Sequence, residues 1–155
     1  MTSLDRTTSA WTSCRGARVL IVDDDEEMRA TLSATLRAAG CEPLLASTGA
    51  EAVEIAAVAS DLGRASIDLL LIDLHMPGRD GLTVLRLLRR AGILPPAILM
   101  TAFPDDDVRA DALRLGTTVL EKPFATESLR RLAVLLILSK RLDEQRTCAL
   151  GIAGP

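Results

Sequence analysis

The chain has no tyrosine, one tryptophan and two phenylalanines, so aromatic residues make up only 2% and any core must be built from Leu, Val, Ile and Ala. Cysteine is also scarce. Cys14, Cys41 and Cys148 are odd in number and widely spaced, which excludes a disulfide framework and a zinc site and points to a reducing compartment. They read as packing or surface residues. Basic residues do not gather into a broad patch and the net charge is −3, which argues against direct nucleic-acid binding. No apolar run reaches the roughly 18–20 residues of a membrane span. The first residues, Met1-Thr2-Ser3-Leu4-Asp5-Arg6, lack the apolar segment of a signal peptide. A soluble cytoplasmic protein is expected. Internal repeats and low-complexity linkers are absent too.

What is present is a chain of 155 residues, 48% hydrophobic, a size and composition suited to one core. Residues 1–16 are rich in Ser and Thr without periodicity and read as a flexible leader. Short apolar runs then alternate with helical patterns. Strands are predicted at 19–22, 44–46, 67–72, 97–100 and 118–120. Met28, Leu32, Leu36 and Ala39 recur at helical spacing, as do Val108, Ala112 and Leu115. Gly40 and Gly116 sit where helices should end, and Asp105-Asp106-Asp107 where one should begin, with negative charge at the positive end of the dipole. Such alternation implies a parallel sheet covered on both faces. The runs 19–22 and 67–72 are the most continuously apolar, as doubly buried strands should be. After Lys122-Pro123-Phe124 comes one helix, predicted over 126–142, then a tail over 142–155. The boundaries expected are a leader at 1–16, one α/β domain at 17–141 and that tail.

The chemistry lies in the acids. Asp23-Asp24-Asp25 follows the apolar run Val19-Leu20-Ile21-Val22, and a lone Asp73 follows Ile67-Asp68-Leu69-Leu70-Leu71-Ile72. If the two runs are neighbouring parallel strands, these carboxylates crowd at the sheet's carboxyl edge, where open α/β sheets place their sites. Like charges that close need a cation or a reaction to hold them. Mg²⁺ suits the site, since it is a hard ion that binds through one or two carboxylates plus waters. Thr101 ends the fourth run and Lys122 closely follows the fifth. Asp25 reads as a helix N-cap rather than a third ligand. Pro77, Gly78 and Gly81 read as loop formers.

Four segments in order, Val-Leu-Ile-Val-Asp-Asp-Asp-Glu-Glu (19–27), Leu-Ile-Asp-Leu-His-Met-Pro-Gly-Arg-Asp-Gly (71–81), Leu-Met-Thr-Ala (99–102) and Glu-Lys-Pro-Phe (121–124), make the chain resemble the receiver domain of two-component response regulators. The likeness covers about residues 17–141. It implies a flavodoxin-like, doubly wound five-stranded parallel sheet in the order 2-1-3-4-5 with helices on both faces. It implies that Asp73 accepts a phosphoryl group from a histidine kinase or a histidine phosphotransfer protein. Asp24, Asp73 and the backbone carbonyl of His75 would bind Mg²⁺ directly, and Asp23 would contribute mainly through water. Thr101 and Lys122 would each contact a phosphoryl oxygen, and Pro123 would follow a cis bond. The His75 side chain would line the entrance and influence phosphate lifetime.

The chain departs from the family in three places, one of them a stretch 116–122 that is one residue shorter than usual. Val119 stands where receivers commonly carry the Tyr or Phe that turns inward on activation, so Thr101 and Phe103 become the expected movers. The stretch 57–66 reads as an elongated surface connection after the second helix. In the last helix, Leu129, Leu132 and Leu136 can serve the core. Leu135, Leu138 and Leu142 form a second stripe, expected to bind a downstream partner or a second copy, or to be covered by the leader through Trp11.

The function expected is that of a single-domain response regulator, with no catalysis beyond Mg²⁺-dependent self-phosphorylation and autodephosphorylation. The alternatives are a pseudo-receiver acting as a constitutive protein-binding module, against which the full acidic set with Thr101 and Lys122 argues, and an Asp-nucleophile phosphatase. A haloacid-dehalogenase-like phosphatase would want a second Asp at position 75, which is His. A dinucleotide-binding domain would want a Gly-rich loop after the first strand, and none is there.

Overall fold

Alternating residues of each short strand carry apolar side chains to opposite faces, and the architecture follows from that. The computed structural model describes residues 14–61 and 66–151. In order these are β1 (Arg18–Val22), α1 (Glu26–Ala38), β2 (Glu42–Ala46), α2 (Gly49–Asp61), β3 (Leu69–Asp73), α3 (Gly81–Arg90), β4 (Ala97–Thr101), α4 (Asp106–Arg114), β5 (Thr117–Glu121) and α5 (Thr126–Ala149). The five strands are parallel in the order β2-β1-β3-β4-β5, the doubly wound arrangement expected.

Leu20 and Val22 of β1, Leu70 and Ile72 of β3 and Leu99 of β4 face one layer, packed against Ala52 and Ala56 of α2, Leu82, Val84, Leu85 and Leu88 of α3, and Ala112 of α4. Val19 and Ile21, Leu69 and Leu71, and Ile98 and Met100 face the other, against Leu32 and Leu36 of α1 and Leu129, Ala133, Val134 and Ile137 of α5. Each of the fully buried leucines and isoleucines among them contributes about 2 kcal/mol by leaving water. β4 is buried at every position, as β3 is, so the doubly buried centre extends one strand beyond β1 and β3.

The predicted strands hold, with edges moved by one or two residues; β3 begins at Leu69 and includes Asp73. Gly40 and Gly116 follow α1 and α4 in left-handed conformation, with φ of 84° and 62°. Asp25 and Asp105 are N-caps, the first accepting from the N–H groups of Glu27 and Met28 and the second from that of Val108.

Four expectations change. α5 continues to Ala149, so the segment after Leu142 is helical where a tail was expected. Residues 57–61 belong to α2 rather than to a connection, while 62–65 lie outside the described residues. The end of the expected leader is part of the fold: Cys14 is fully buried, its carbonyl accepts from the Ala17 N–H at 3.0 Å, and Gly16 donates to the Gly40 carbonyl at 2.9 Å. The remaining leader residues, with Trp11, lie outside the described residues. Lastly, Leu138 packs against the core with Leu132 and Leu136, leaving Leu135 and Leu142, 66% and 60% exposed, as the outward leucines of the stripe. Cys41 is buried and Cys148 exposed, in keeping with packing and surface roles.

Candidate functional site

The β1 and β3 ladder pairs Val22 with Ile72, so the residues that follow on each strand emerge side by side. One carboxylate oxygen from each of Asp23, Asp24 and Asp73 lies within 4.8 Å of the others. Asp23 and Asp73 are buried, whereas Asp24 is exposed at the rim. The third acid of the run, Asp25, is occupied with its helix cap.

Lys122 completes the cluster. Its Nζ donates to Asp73 Oδ1 at 2.8 Å and lies 3.5 Å from Asp23 Oδ2. The second approach is close enough for attraction but long for a hydrogen bond, and Asp23 Oδ2 is a buried oxygen without a hydrogen-bond partner. Burial works against the Lys122 charge, yet the hydrogen bond the lysine donates to Asp73 and the charges of Asp23 and Asp73 outweigh it and hold the ammonium's pKa up. The Asp23 pKa is raised as well, which for a carboxylate disfavours the charged form. Burial raises its pKa, and the N–H of Asp25 and the charge of Lys122 only partly oppose the rise.

Lys122 is placed by the backbone as well. It follows a β5 paired with β4, its N–H donates to the Thr101 carbonyl at 2.8 Å, and its bond to Pro123 is cis, as expected. Thr101 is completely buried at the end of β4, and its hydroxyl accepts the Phe103 N–H at 3.2 Å. His75 is two residues beyond Asp73 in an exposed loop, and its side chain forms no hydrogen bond among the described residues. Val119 is half-buried against the core, whereas Phe103 is 77% exposed.

Three residues of the site neighbourhood escaped the sequence reading. Arg29 of α1 donates from Nη1 to the Asp23 carbonyl at 2.7 Å. Asp80 caps α3 by accepting the Thr83 N–H at 2.8 Å; an Asp just before a helical pattern could have revealed it. Gly81 is more than a loop former. It is the first residue of α3, and a Cβ there would lie 2.4 Å from the Asp73 carbonyl oxygen, so only glycine lets the helix start against the strand end.

The donor set is all oxygen, carries three negative charges against one lysine and leaves one buried carboxylate oxygen unpartnered. It fits a hard divalent cation such as Mg²⁺.

The family-wide sequence description of the response regulator receiver domain matches residues 19–134, well over half the chain, and the chain belongs to that family. Response regulator MprA of Mycobacterium avium (strain 104) is 37% identical over 135 residues, covering 86% of this chain and 57% of the relative. Response regulator MprA of Mycobacterium ulcerans (strain Agy99) is 38% identical over 130 residues, covering 83% and 53%. The chain thus spans somewhat over half the length of these curated relatives. Among solved structures, a response regulator receiver domain protein of Clostridium thermocellum superposes with a TM-score of 0.73 at 27% identity, covering 81% of this chain and 98% of that one. Vibrio cholerae chemotaxis protein CheY4 superposes with a TM-score of 0.66 at 30% identity, covering 76% and 95%. No helix among the described residues is long and apolar enough to cross a membrane.

Proposed function

We propose that the chain is a phosphoacceptor receiver module whose Asp73 takes a phosphoryl group from the phosphohistidine of a histidine kinase or phosphotransfer protein. The observation that carries this is the buried carboxylate of Asp73 at the end of β3, 2.8 Å from the Lys122 ammonium and clustered with the oxygens of Asp23 and Asp24. An Asp73 oxygen attacks the phosphorus, the phosphorus–nitrogen bond of the donor breaks, and its electron pair stays with the donor imidazole. Two negative partners must approach each other in that step. Lys122 offsets part of the charge, and its ammonium, already 2.8 Å from Asp73, would receive a phosphoryl oxygen. Thr101, tied to Lys122 through its carbonyl, offers the hydroxyl proton to another oxygen.

Asp23, Asp24, Asp73 and the His75 carbonyl would hold Mg²⁺, which supplies charge neutralisation and alignment when bound. The His75 side chain, exposed at the rim, would influence how long the phosphoryl group survives. An apolar groove of about 350 Å³, lined by Met28, Leu32, Ala102, Lys122, Pro123 and Phe124, opens beside the site and supports docking of the donor there. Output would pass through protein contacts in the cytoplasm, with the outward Leu135 and Leu142 of α5 as the surface for a downstream partner or a second copy, and without direct nucleic-acid contact. The functional unit proposed is residues 17–141.

The test is intact-mass measurement after incubation with acetyl phosphate and Mg²⁺. One added phosphate, lost at alkaline pH and absent from Asp73→Asn, is expected. Equal labelling of Asp73→Asn would overturn the assignment, and no labelling of the wild type would favour the constitutive binding module.

A further inference from the structure

Asp24 is the least supported member of the acid cluster. Its carboxylate is exposed, and no hydrogen bond from another group orients it among the described residues. Its direction is therefore set by the main chain on either side. Of the bonds that hold that main chain, one comes from a side chain outside the loop. Arg29 donates from its side-chain Nη1 to the carbonyl of Asp23 at 2.7 Å, while its backbone N–H makes the first bond of α1 to the carbonyl of the N-cap Asp25 at 3.0 Å, as any residue at 29 would. The two carbonyls flank Asp24. Asp23 is further anchored by its N–H to Ala46 at 3.2 Å, and its Oδ1 accepts the Asp25 N–H at 3.0 Å. The charged bond from Arg29 is the short one of this set, and charge-assisted hydrogen bonds are the strong ones. The guanidinium also sits near enough to Glu51 of α2 to contribute to the lowered pKa of that carboxyl, behind the larger effect of hydrogen bonds from Ser47.

We infer that Arg29 is a positioning residue for the metal-binding carboxylate of Asp24: it clamps the Asp23–Asp24–Asp25 loop so that Asp24 faces Asp73. The inference rests on the Mg²⁺-binding reading of the acid cluster given above. It makes a prediction opposite in sign to simple electrostatics. A cation beside an acidic pocket repels Mg²⁺, so removing it without loss of geometry should tighten binding. If Arg29 acts as the clamp, removing it weakens binding.

The experiment is calorimetric titration of the full chain with Mg²⁺ and no phosphoryl donor, for wild type, Arg29→Met, Arg29→Lys and Asp24→Asn. Met keeps the stem and helix propensity of Arg without the charge. Arg29→Met is expected to raise the Mg²⁺ dissociation constant about tenfold, the low end for loss of a group that orients a metal ligand. Arg29→Lys, which keeps a cationic donor, is expected to recover at least half of that loss on a logarithmic scale. Unchanged or tighter binding by Arg29→Met overturns the inference, and so does an Arg29→Lys no better than Arg29→Met. Arg29→Gln, also neutral, takes the place of Arg29→Met if that variant does not fold. A wild type that does not bind Mg²⁺, or an Asp24→Asn that binds it equally well, overturns the metal reading itself rather than the role of Arg29 within it.

Discussion

Replacing Gly81 with alanine is expected to damage both stability and the site, through one contact. Gly81 opens α3, and a Cβ built on it would meet the Asp73 carbonyl oxygen at 2.4 Å, its carbonyl carbon at 3.1 Å and Ile72 Cγ1 at 3.2 Å. Real Cβ contacts do not fall below 3.0 Å, so either the helix start or the strand end must retreat by the difference, 3.0 less 2.4, about 0.6 Å. Neither can do so freely. Gly81 donates its N–H to the Leu74 carbonyl at 2.9 Å, and Asp73 is in register with Met100 on the next strand. Overpacking of this kind costs about 1–3 kcal/mol. Alanine recovers at most about 0.5–1 kcal/mol of helix propensity, and less in a first turn. A net loss of about 1–2 kcal/mol follows, or a fall of roughly 3–6 °C in melting temperature for a domain of this size. Gly49→Ala is the comparison away from the acid cluster: its Cβ would meet Cγ2 of the fully buried Val84 at 2.5 Å, so a loss of stability is expected there too, but without an effect on Asp73 labelling. Urea denaturation of both variants gives the free energies, and labelling with acetyl phosphate gives the effect on Asp73, which should be slowed in Gly81→Ala. A Gly81→Ala as stable as wild type, or labelling slowed as much in Gly49→Ala as in Gly81→Ala, would refute the reasoning.

Three further outcomes are expected. Because burial raises the Asp23 pKa above its unfolded value, its contribution to stability is complete below the unfolded pKa and is lost as pH rises through the folded one. Melting without Mg²⁺ should therefore show Asp23→Asn more stable than wild type at neutral pH and the difference closing in acid, with Mg²⁺ stabilising wild type more than the variant; the same pH profile for both proteins would contradict this. Leu135→Glu/Leu142→Glu should melt within about 0.5 kcal/mol of wild type, since both leucines face outward. In sedimentation it should abolish any self-association of the wild type, and a self-association that persists in the variant removes α5 as the contact. Structures with and without a beryllofluoride mimic should show Phe103 displaced and Val119 little moved, because Val119 is held against the core while the Phe103 N–H is bonded to the Thr101 hydroxyl; a large shift at Val119 with Phe103 still would reverse the assignment.

The sheet was legible because doubly buried strands must be apolar on both faces, and the runs ending at Val22 and Ile72 could be little else. The acids were legible because Asp23, Asp24 and Asp73 each interrupt or end such a run, and parallel pairing brings strand ends together. What was hidden depended on three-dimensional approach. Gly81 reads as one more glycine in a turn until its distance from Asp73 is known. Arg29 reads as a solvated helical arginine until its guanidinium is found on the Asp23 carbonyl. The length of α5 was underestimated because the polar stretch after Leu142 carries no core face to mark it, while Lys140 still ties the helix to Asp68 at 3.2 Å and Glu144 accepts from the same lysine at 2.8 Å. Leu138 was misplaced outward because it lies at the margin of the buried stripe, where spacing alone does not separate core from surface.

The central claim is that Asp73 carries the phosphoryl group, and mapping the modified residue tests it most directly. An acyl phosphate is reduced by borohydride at the carboxyl carbon, which marks the aspartate that held it. After treatment with acetyl phosphate and Mg²⁺, reduction and digestion, mass spectrometry should find the mark in the peptide containing Asp73 and at that residue alone. A mark at Asp23, Asp24 or any other carboxylate, with Asp73 unmodified, would contradict the account.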